Sequence, residues 1–236
     1  MMTAVRFSLG AVRATMIWGS RAIRASRRGL TDTPGGPYDE AALGWSRMLL
    51  EAARITVRVE HAERLTPRNV VYIANHISMI DIPVLVTAVP IVPKFVMKRE
   101  LLRVPLFGAA AKAAGHIAID RHNRGAAFAA YDNAANIIRR GHPALVFAEG
   151  TRSRNGRLMS FKKGPFVLAI AAQVPIVPLV VLGSYELMPR LSVSPRPGEV
   201  VVRVGEDIPT AGLRYEDRDQ LSRDTRAAIV SLGAME

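Results

Sequence analysis

The sequence of 236 residues contains no cysteine. Disulfides, thiolate metal sites and a cysteine nucleophile are therefore excluded, so any catalysis must use other side chains. The five histidines show no pair at the i, i+4 spacing typical of helical zinc sites. We therefore expect neither a metal nor any other cofactor.

Aromatic residues are scarce, at 6% of the chain, and acidic residues are outnumbered, with 20 Asp and Glu against 32 Lys and Arg. The resulting net charge of +12 favours a polyanionic partner such as nucleic acid, anionic lipid or a phosphorylated substrate. Nucleic acid is disfavoured because no recognition motif or aromatic stacking surface accompanies the arginines. We expect no nucleic-acid partner.

A long apolar helix is also lacking. The uncharged run from Gly164 to Tyr185 has the length of a membrane span, but Pro175 and Pro178 interrupt it. A proline inside a helix removes a backbone hydrogen bond and clashes with the preceding turn. The run is therefore predicted to divide into a short helix and a buried strand.

The first thirty residues carry six arginines and no acidic residue. At about 100° per helical residue, the arginines share one side of a helix, next to an apolar stripe of Val5, Leu9, Val12, Met16 and Ile23. Residues 1–30 are therefore predicted to form a basic amphipathic helix that lies on an anionic membrane surface. A solvated helix, a cleaved signal and a transit peptide are the alternatives.

A linker is predicted at residues 31–37, where two prolines and two glycines cannot continue a helix, and the compact domain is predicted at 38–236. In that domain β-branched strands alternate with helical patterns, which indicates an α/β fold with a mixed, largely buried sheet flanked by helices. The strands are predicted at 55–60, 70–74, 94–97, 116–120, 144–148, 176–182 and 200–204, and helices at 41–53, 83–88, 106–114, 126–140 and 165–173.

Polar side chains follow the hydrophobic strand at 70–74, in the order Asn75, His76, Ser78 and Asp81. If His76 lies in the turn and Asp81 in the first helical turn, the carboxylate can reach one imidazole nitrogen and leave the other free to accept a proton. This pattern predicts a general-base pair. Ser78 and Asp81 also have the spacing of a helix capping box, a structural alternative that is compatible with the first.

The strand at 144–148 leads into a second polar segment, Glu149, Gly150, Thr151, Arg152 and Ser153, with Lys162 further on. Glycine permits close backbone approach, hydroxyls donate, and an arginine can grip a phosphate with two parallel hydrogen bonds. The segment is therefore predicted to bind an anion such as a phosphate group. A charged surface turn with Glu149 paired to an arginine is the alternative.

Four segments together resemble the glycerolipid acyltransferase family, in particular its PlsC-type 1-acylglycerol-3-phosphate acyltransferases. They begin at Asn75 (N-H-x-S-x-x-D), Gly115 (ending on Arg121), Phe147 (F-A-E-G-T-R-S, with Ala148 where the family usually has proline) and Val174 (V-P-I-V-P). The resemblance covers about half of the chain and implies that His76 is the general base and Asp81 its orienting partner. It further implies that the acceptor is bound by Arg121, Glu149, Gly150, Thr151, Arg152, Ser153 and Lys162.

The resemblance implies transfer of a fatty acyl group from acyl-CoA or acyl-ACP to lysophosphatidate, giving phosphatidate in phospholipid biosynthesis. Such an enzyme is expected to lie peripherally or monotopically on the cytoplasmic face of the cell membrane. Deletion of residues 1–30 is then expected to weaken vesicle binding more than activity on a soluble acceptor. The alternatives are glycerol-3-phosphate or another lysophospholipid as acceptor, and a non-catalytic lipid-binding protein on the same scaffold.

Overall fold

A mixed sheet of seven strands lies at the centre of the residues described by the computed structural model, 2–120 and 124–236. The strands lie in the order β1-β7-β6-β2-β5-β3-β4, and only β6 and β7 pair antiparallel. Strands β2 to β6 therefore end at one edge of the sheet, here called the carboxyl edge, where β1 and β7 begin. The strands are β1 (Ile55–Glu60), β2 (Val71–Ala74), β3 (Lys94–Lys98), β4 (Ile117–Ile119), β5 (Ala144–Phe147), β6 (Ile176–Leu182) and β7 (Gly198–Val204).

Helices cover both faces of this sheet. They are α1 (Met2–Ala14), α2 (Ser20–Arg27), α3 (Pro37–Ala53), α4 (Asp81–Ala88), α5 (Phe107–Ala113), α6 (Arg124–Arg139), α7 (Gly164–Ala172), α8 (Ser184–Leu187) and α9 (Arg218–Ser231). Consecutive residues of β2 are buried on both faces, as the β-branched and aromatic run of this strand predicts. The predicted fold class, a mixed and largely buried sheet flanked by helices, is confirmed.

The predicted elements match the observed ones to within a few residues, except at three helices, of which the short α8 was not predicted. Helix α3 begins at Pro37 and not at residue 41, because Gly36 is extended and proline fits the first helical turn. Helix α9 was not expected, since its buried side chains are few and its other positions are mostly polar: the buried ones are Leu221, Thr225 and Ile229.

The predicted N-terminal helix is present as α1 and α2 joined by a π-helical segment, Thr15–Gly19. It packs along α3 through small residues on one side, so it does not stand apart from the compact domain: Gly10, Ala14, Ala22 and Ala25. Of the predicted apolar stripe, Val5, Leu9, Val12 and Met16 are exposed and face away from α3, whereas Ile23 is half-buried. Among the described residues, no helix combines the length and the hydrophobicity needed to cross a membrane.

The segment predicted as a linker is also fixed to the domain. The Asp32 Oδ1 atom lies 2.9 Å from the Nζ of buried Lys94, and the ring of His142 contacts the Asp32 carbonyl at 3.2 Å. These contacts hold the turn between α2 and α3 against the start of β3.

Candidate active site

The structure brings His76 and Asp81 together at the carboxyl edge. β2 ends at Ala74, His76 lies in the following turn, and Asp81 is the first residue of α4. The Nδ1 atom of His76 lies 2.9 Å from the Oδ2 atom of Asp81. Because Nδ1 faces a carboxylate, we assign the ring proton to it, which leaves Nε2 as the nitrogen able to accept a proton.

Asp81 is fully buried and receives hydrogen bonds on both carboxylate oxygens. Its Oδ2 atom accepts from the backbone amides of Ile77 and Ser78, each at 2.8 Å, and its Oδ1 atom accepts from Ser184 Oγ at 2.6 Å. These bonds stabilise a charged carboxylate in a buried position. Half of the predicted capping box is formed, since the Ser78 amide donates to Asp81, while the Ser78 hydroxyl donates to the carbonyl of Met188 at 2.6 Å and accepts from the amide of Ile80 at 3.4 Å.

Neighbouring strands hold the histidine in place. Its ring stacks on Phe147 at the end of β5, with ring centroids 3.8 Å apart and planes 12° from parallel. Asn75 exchanges two hydrogen bonds with the backbone of Val181 in β6, at 3.0 and 2.8 Å. The ring is therefore fixed between the ends of three adjacent strands.

Glu149 lies behind His76 and is buried, with 2% of its surface exposed. Its two oxygens accept from the backbone amides of His76 at 2.7 Å and Met159 at 2.8 Å. Burial raises the pKa of Glu149 to about 7, although the two amide hydrogen bonds oppose this rise. This placement differs from the predicted contact with the acceptor, since both oxygens are used to position backbone.

A cavity of about 410 Å³ opens beside His76. Gly150, Thr151 and Arg152 of the predicted anion-binding segment line it, and Arg152 Nη1 donates to the Arg190 carbonyl at 3.0 Å. Gly150 adopts a positive φ of 74°, which glycine tolerates and which lets the segment turn back toward the histidine. Among the described residues, the charged side chains that line the cavity are all basic: Lys98, Arg152 and Arg190.

The other predicted site residues lie elsewhere. Ser153 is buried and donates to Asn155 at 3.1 Å, and its amide donates to the His76 carbonyl at 2.8 Å. The side chain of Lys162 is exposed and is not part of the cavity wall. Arg121 lies outside the described residues.

The cavity continues away from His76 between the N-terminal helix, α3, α5 and β3. Its wall there is mostly apolar or aromatic, and includes Trp18, Gly19 and Ala22 from the N-terminal helix, with Trp45 from α3 and Phe107 from α5. Sequence reasoning missed this contribution, as it did Lys98, Arg190 and Ser184. The available signal was the unusual number of small residues between the arginines of the N-terminal segment.

Comparisons with known proteins agree with this geometry. A family model described as acyltransferase matches residues 56–182. The chain is 33% identical over 165 residues to a 1-acyl-sn-glycerol-3-phosphate acyltransferase of Cocos nucifera, covering 70% of this chain and 53% of that protein. It is 40% identical over 163 residues to a putative enzyme of the same name from Caenorhabditis elegans, covering 68% and 58%. The matched region thus spans little more than half the length of these relatives.

A solved structure shows the same fold. The 1-acyl-sn-glycerophosphate acyltransferase PlsC from Thermotoga maritima superposes with a TM-score of 0.78 at 24% identity, covering all of this chain and 96% of that one. The likeness therefore concerns the fold as a whole and is not confined to the region that the family model matches. From the matched family model and the identity to these relatives, we conclude that the chain belongs to the acyltransferase family.

Proposed function

We propose that this protein transfers a fatty acyl group from acyl-CoA or acyl-ACP to the free hydroxyl of 1-acylglycerol-3-phosphate, giving phosphatidate. His76 Nε2 takes the hydroxyl proton as the oxygen attacks the thioester carbonyl. The carbon–sulfur bond then breaks, and the imidazolium returns the proton to the leaving thiolate. Asp81 holds the ring and stabilises its charged form. No atom changes its oxidation state in this transfer, so no oxidant or reductant is needed.

The observation that carries this proposal is a base and cations at one end of an apolar cavity. His76 and Arg152 both line the cavity, and Asp81 contacts the ring nitrogen of His76 that is not assigned as the base. A phosphate monoester next to Arg152 and Arg190 would be neutralised by charge-assisted hydrogen bonds. A hydroxyl on the same molecule could then meet the free nitrogen of His76.

The apolar part of the cavity supports an acyl chain as the second ligand. From His76 the lining extends to Tyr38 at the start of α3 and to Ala114 after α5. A volume of about 410 Å³ lies within the range of small-molecule sites, which runs from about 300 to 1,000 Å³. Burial of a hydrocarbon chain there would be driven by the hydrophobic effect.

The exposed face of α1 supports a peripheral position on the membrane, and we propose the cytoplasmic face, where thioester donors are made. Leu9 and Val12 point outward beside exposed arginines such as Arg6 and Arg13. A helix with this division buries its apolar side at the acyl boundary while its cations meet anionic headgroups. Lipid acceptors would then be drawn from the same surface.

The proposal is tested by an acyl-transfer assay on purified protein, with radiolabelled lysophosphatidate and glycerol-3-phosphate offered separately against acyl-CoA and acyl-ACP. We expect labelled phosphatidate from lysophosphatidate. If product forms only from glycerol-3-phosphate, then glycerol-3-phosphate is the acceptor and lysophosphatidate is not. Lipid binding without product from either acceptor would show a non-catalytic lipid-binding protein.

A further inference from the structure

The exposed large apolar side chains are unevenly distributed over the surface of the molecule. Apart from the stripe on α1, most of those exposed among the described residues follow the ends of β2, β3 or β6 at the carboxyl edge. We call these five the apolar rim: Met79, Leu101, Val104, Leu191 and Val193. Leu191 is 93% exposed and Val193 is 66% exposed. A cluster of exposed apolar side chains on a monomer usually marks a binding surface.

The topology places the rim on one side of the molecule. The segment 183–197, which carries Leu191 and Val193, leaves the sheet at the end of β6 and returns at the start of β7. Met79 lies in the turn next to His76, and the Ser78 hydroxyl in that turn bonds to Met188 at 2.6 Å. Leu101 and Val104 lie in the connection from β3 to α5.

Helix α1 reaches the same edge near Gly10. A side chain added at Gly10 would meet Ala52 in the last turn of α3, and the Arg54 carbonyl after that turn accepts from Gly198 at the start of β7, at 3.2 Å. Helix α1 and the rim therefore lie at the same edge of the sheet. The cavity opens between them, since Leu101 and Arg190 belong to its wall.

Basic residues are interleaved with the rim. Arg190 precedes Leu191, Arg196 is exposed after Val193, and Arg103 precedes Val104. Apolar tips next to arginines match the headgroup boundary of an anionic bilayer, in which the tips enter the acyl region and the guanidinium groups meet phosphates. A bilayer can accept such tips from separate loops because it is fluid and flat.

We propose that the apolar rim is a second membrane contact, which inserts into an anionic bilayer around the mouth of the cavity. The rim and α1 both contact the bilayer, but insertion of the rim does not require α1. The inference deepens the proposed function and rests on it for the acceptor's route: the lipid would pass from the bilayer into the cavity between the two contacts. The partner is lipid, and no second protein is required.

The absence of cysteine makes a direct test possible. Single variants Leu191→Cys and Val104→Cys are labelled with an environment-sensitive fluorophore, together with Leu9→Cys on α1 and, as control, Ala227→Cys on the exposed face of α9. On vesicles of phosphatidylcholine with phosphatidylglycerol, we expect a blue shift at residues 191, 104 and 9 but not at 227. A shift confined to residue 9, or none at any position, would overturn the proposal.

A second experiment separates the rim from catalysis. The double variant Leu191→Ser, Val193→Ser should bind these vesicles about tenfold more weakly than the wild type, because two apolar tips no longer insert. Its transfer to a soluble short-chain lysophosphatidate should be unchanged. Leu30→Ser, which alters an exposed apolar side chain in the turn held against the start of β3, at the opposite edge of the sheet, is the matched control and should bind normally.

The two proposals fail in different ways. Unchanged vesicle affinity of the double variant would contradict the membrane contact, whatever the activity. A wild-type protein that shows the blue shifts but acylates no acceptor would refute the proposed reaction and leave the membrane contact standing.

Discussion

At the scale of single residues, Asp81 receives more hydrogen bonds than any other group near His76. Its carboxylate contacts the imidazole, two backbone amides and the hydroxyl of Ser184. The bond to Ser184 joins the end of β6 to the start of α4. Asp81 thus fixes the geometry of the turn and also supplies the negative charge next to the ring.

These two roles can be separated with Asp81→Asn. The amide oxygen can take the place of Oδ2, and the amide nitrogen can donate to Ser184, so most of the hydrogen bonds persist while the charge is lost. We expect kcat to fall about 10²–10⁴-fold because the imidazolium is no longer stabilised. Circular dichroism should show a retained fold.

Ser184→Ala is the companion to this variant. It removes one donor and leaves the charge of Asp81, so the free energy of unfolding should fall by about 1 kcal/mol and kcat should change much less. Steady-state acyl transfer by both variants is the measurement. Wild-type kcat in Asp81→Asn would show that the carboxylate has no electrostatic part in the reaction.

Glu149 gives a prediction about pH. Burial raises its pKa from 4.5 to about 7. The folded protein therefore binds this proton more tightly than the unfolded chain does, and the contribution of Glu149 to the free energy of unfolding falls as pH rises between these values. Below about pH 4.5 the carboxyl is neutral in both states, so the pH dependence from this group ends there.

Glu149→Gln should remove this component. The glutamine amide cannot accept from both backbone amides, so we expect a penalty that is independent of pH. Urea unfolding at pH 5, 6, 7 and 8 measures the difference between the two proteins. The wild type should lose stability relative to the variant over this range, and a constant difference would show that Glu149 ionises at its usual pKa.

At the scale of elements, the contact between the N-terminal helix and α3 shapes the cavity. Trp18 lies over Gly44 of α3, and its indole nitrogen donates to the Met48 sulfur at 3.0 Å. Trp45 on the same helix donates to Thr15 at 3.1 Å. The two tryptophans therefore fix the position of a helix that forms part of the cavity wall.

Gly44→Ala tests this contact. A Cβ atom at residue 44 would clash with the Trp18 ring, so the ring must move. Alanine improves helix propensity by about 1 kcal/mol, but overpacking costs about 1–3 kcal/mol, and we expect net destabilisation. Urea unfolding and tryptophan emission measure the effect.

The control for this variant is Glu51→Ala on the exposed side of α3, which should change the free energy of unfolding by no more than about 0.5 kcal/mol. If Gly44→Ala were more stable than the wild type and its tryptophan emission unchanged, the described packing of Trp18 would be incorrect.

At the scale of the whole molecule, the position of α1 changes how membrane binding must be tested. Deletion of residues 1–30 is expected to weaken vesicle binding more than activity on a soluble acceptor. The comparison of the two effects is complicated in the structure, because Trp18, Gly19 and Ala22 form part of the cavity wall. Deletion would remove the membrane helix and open the cavity at the same time.

A variant of the exposed stripe avoids this problem. Replacement of Val5, Leu9, Val12 and Met16 by serine leaves the cavity wall untouched, since all four side chains are exposed and none lines it. Affinity for anionic vesicles should fall at least about tenfold, and transfer to a short-chain acceptor should persist. Vesicle co-sedimentation measures binding, and parallel loss of both properties would argue against a docking role.

Local patterns predict much of the fold and part of the site. β-branched runs mark each strand, and the spacing of His76 and Asp81 allows the pair to meet at a turn followed by a helix. Contacts between distant parts of the chain could not be predicted, because no local pattern specifies them. Ser184 reaches Asp81 across 103 positions, and Lys94, buried and paired with Asp32, has no signal in its own strand.

His76 is the proposed base, and the most direct test of this role is the initial rate of acyl transfer to lysophosphatidate by His76→Ala, with circular dichroism to monitor the fold. We predict that transfer falls to the background rate while the spectrum and the vesicle affinity match those of the wild type. A folded His76→Ala protein that transfers acyl groups at the wild-type rate would contradict the central claim.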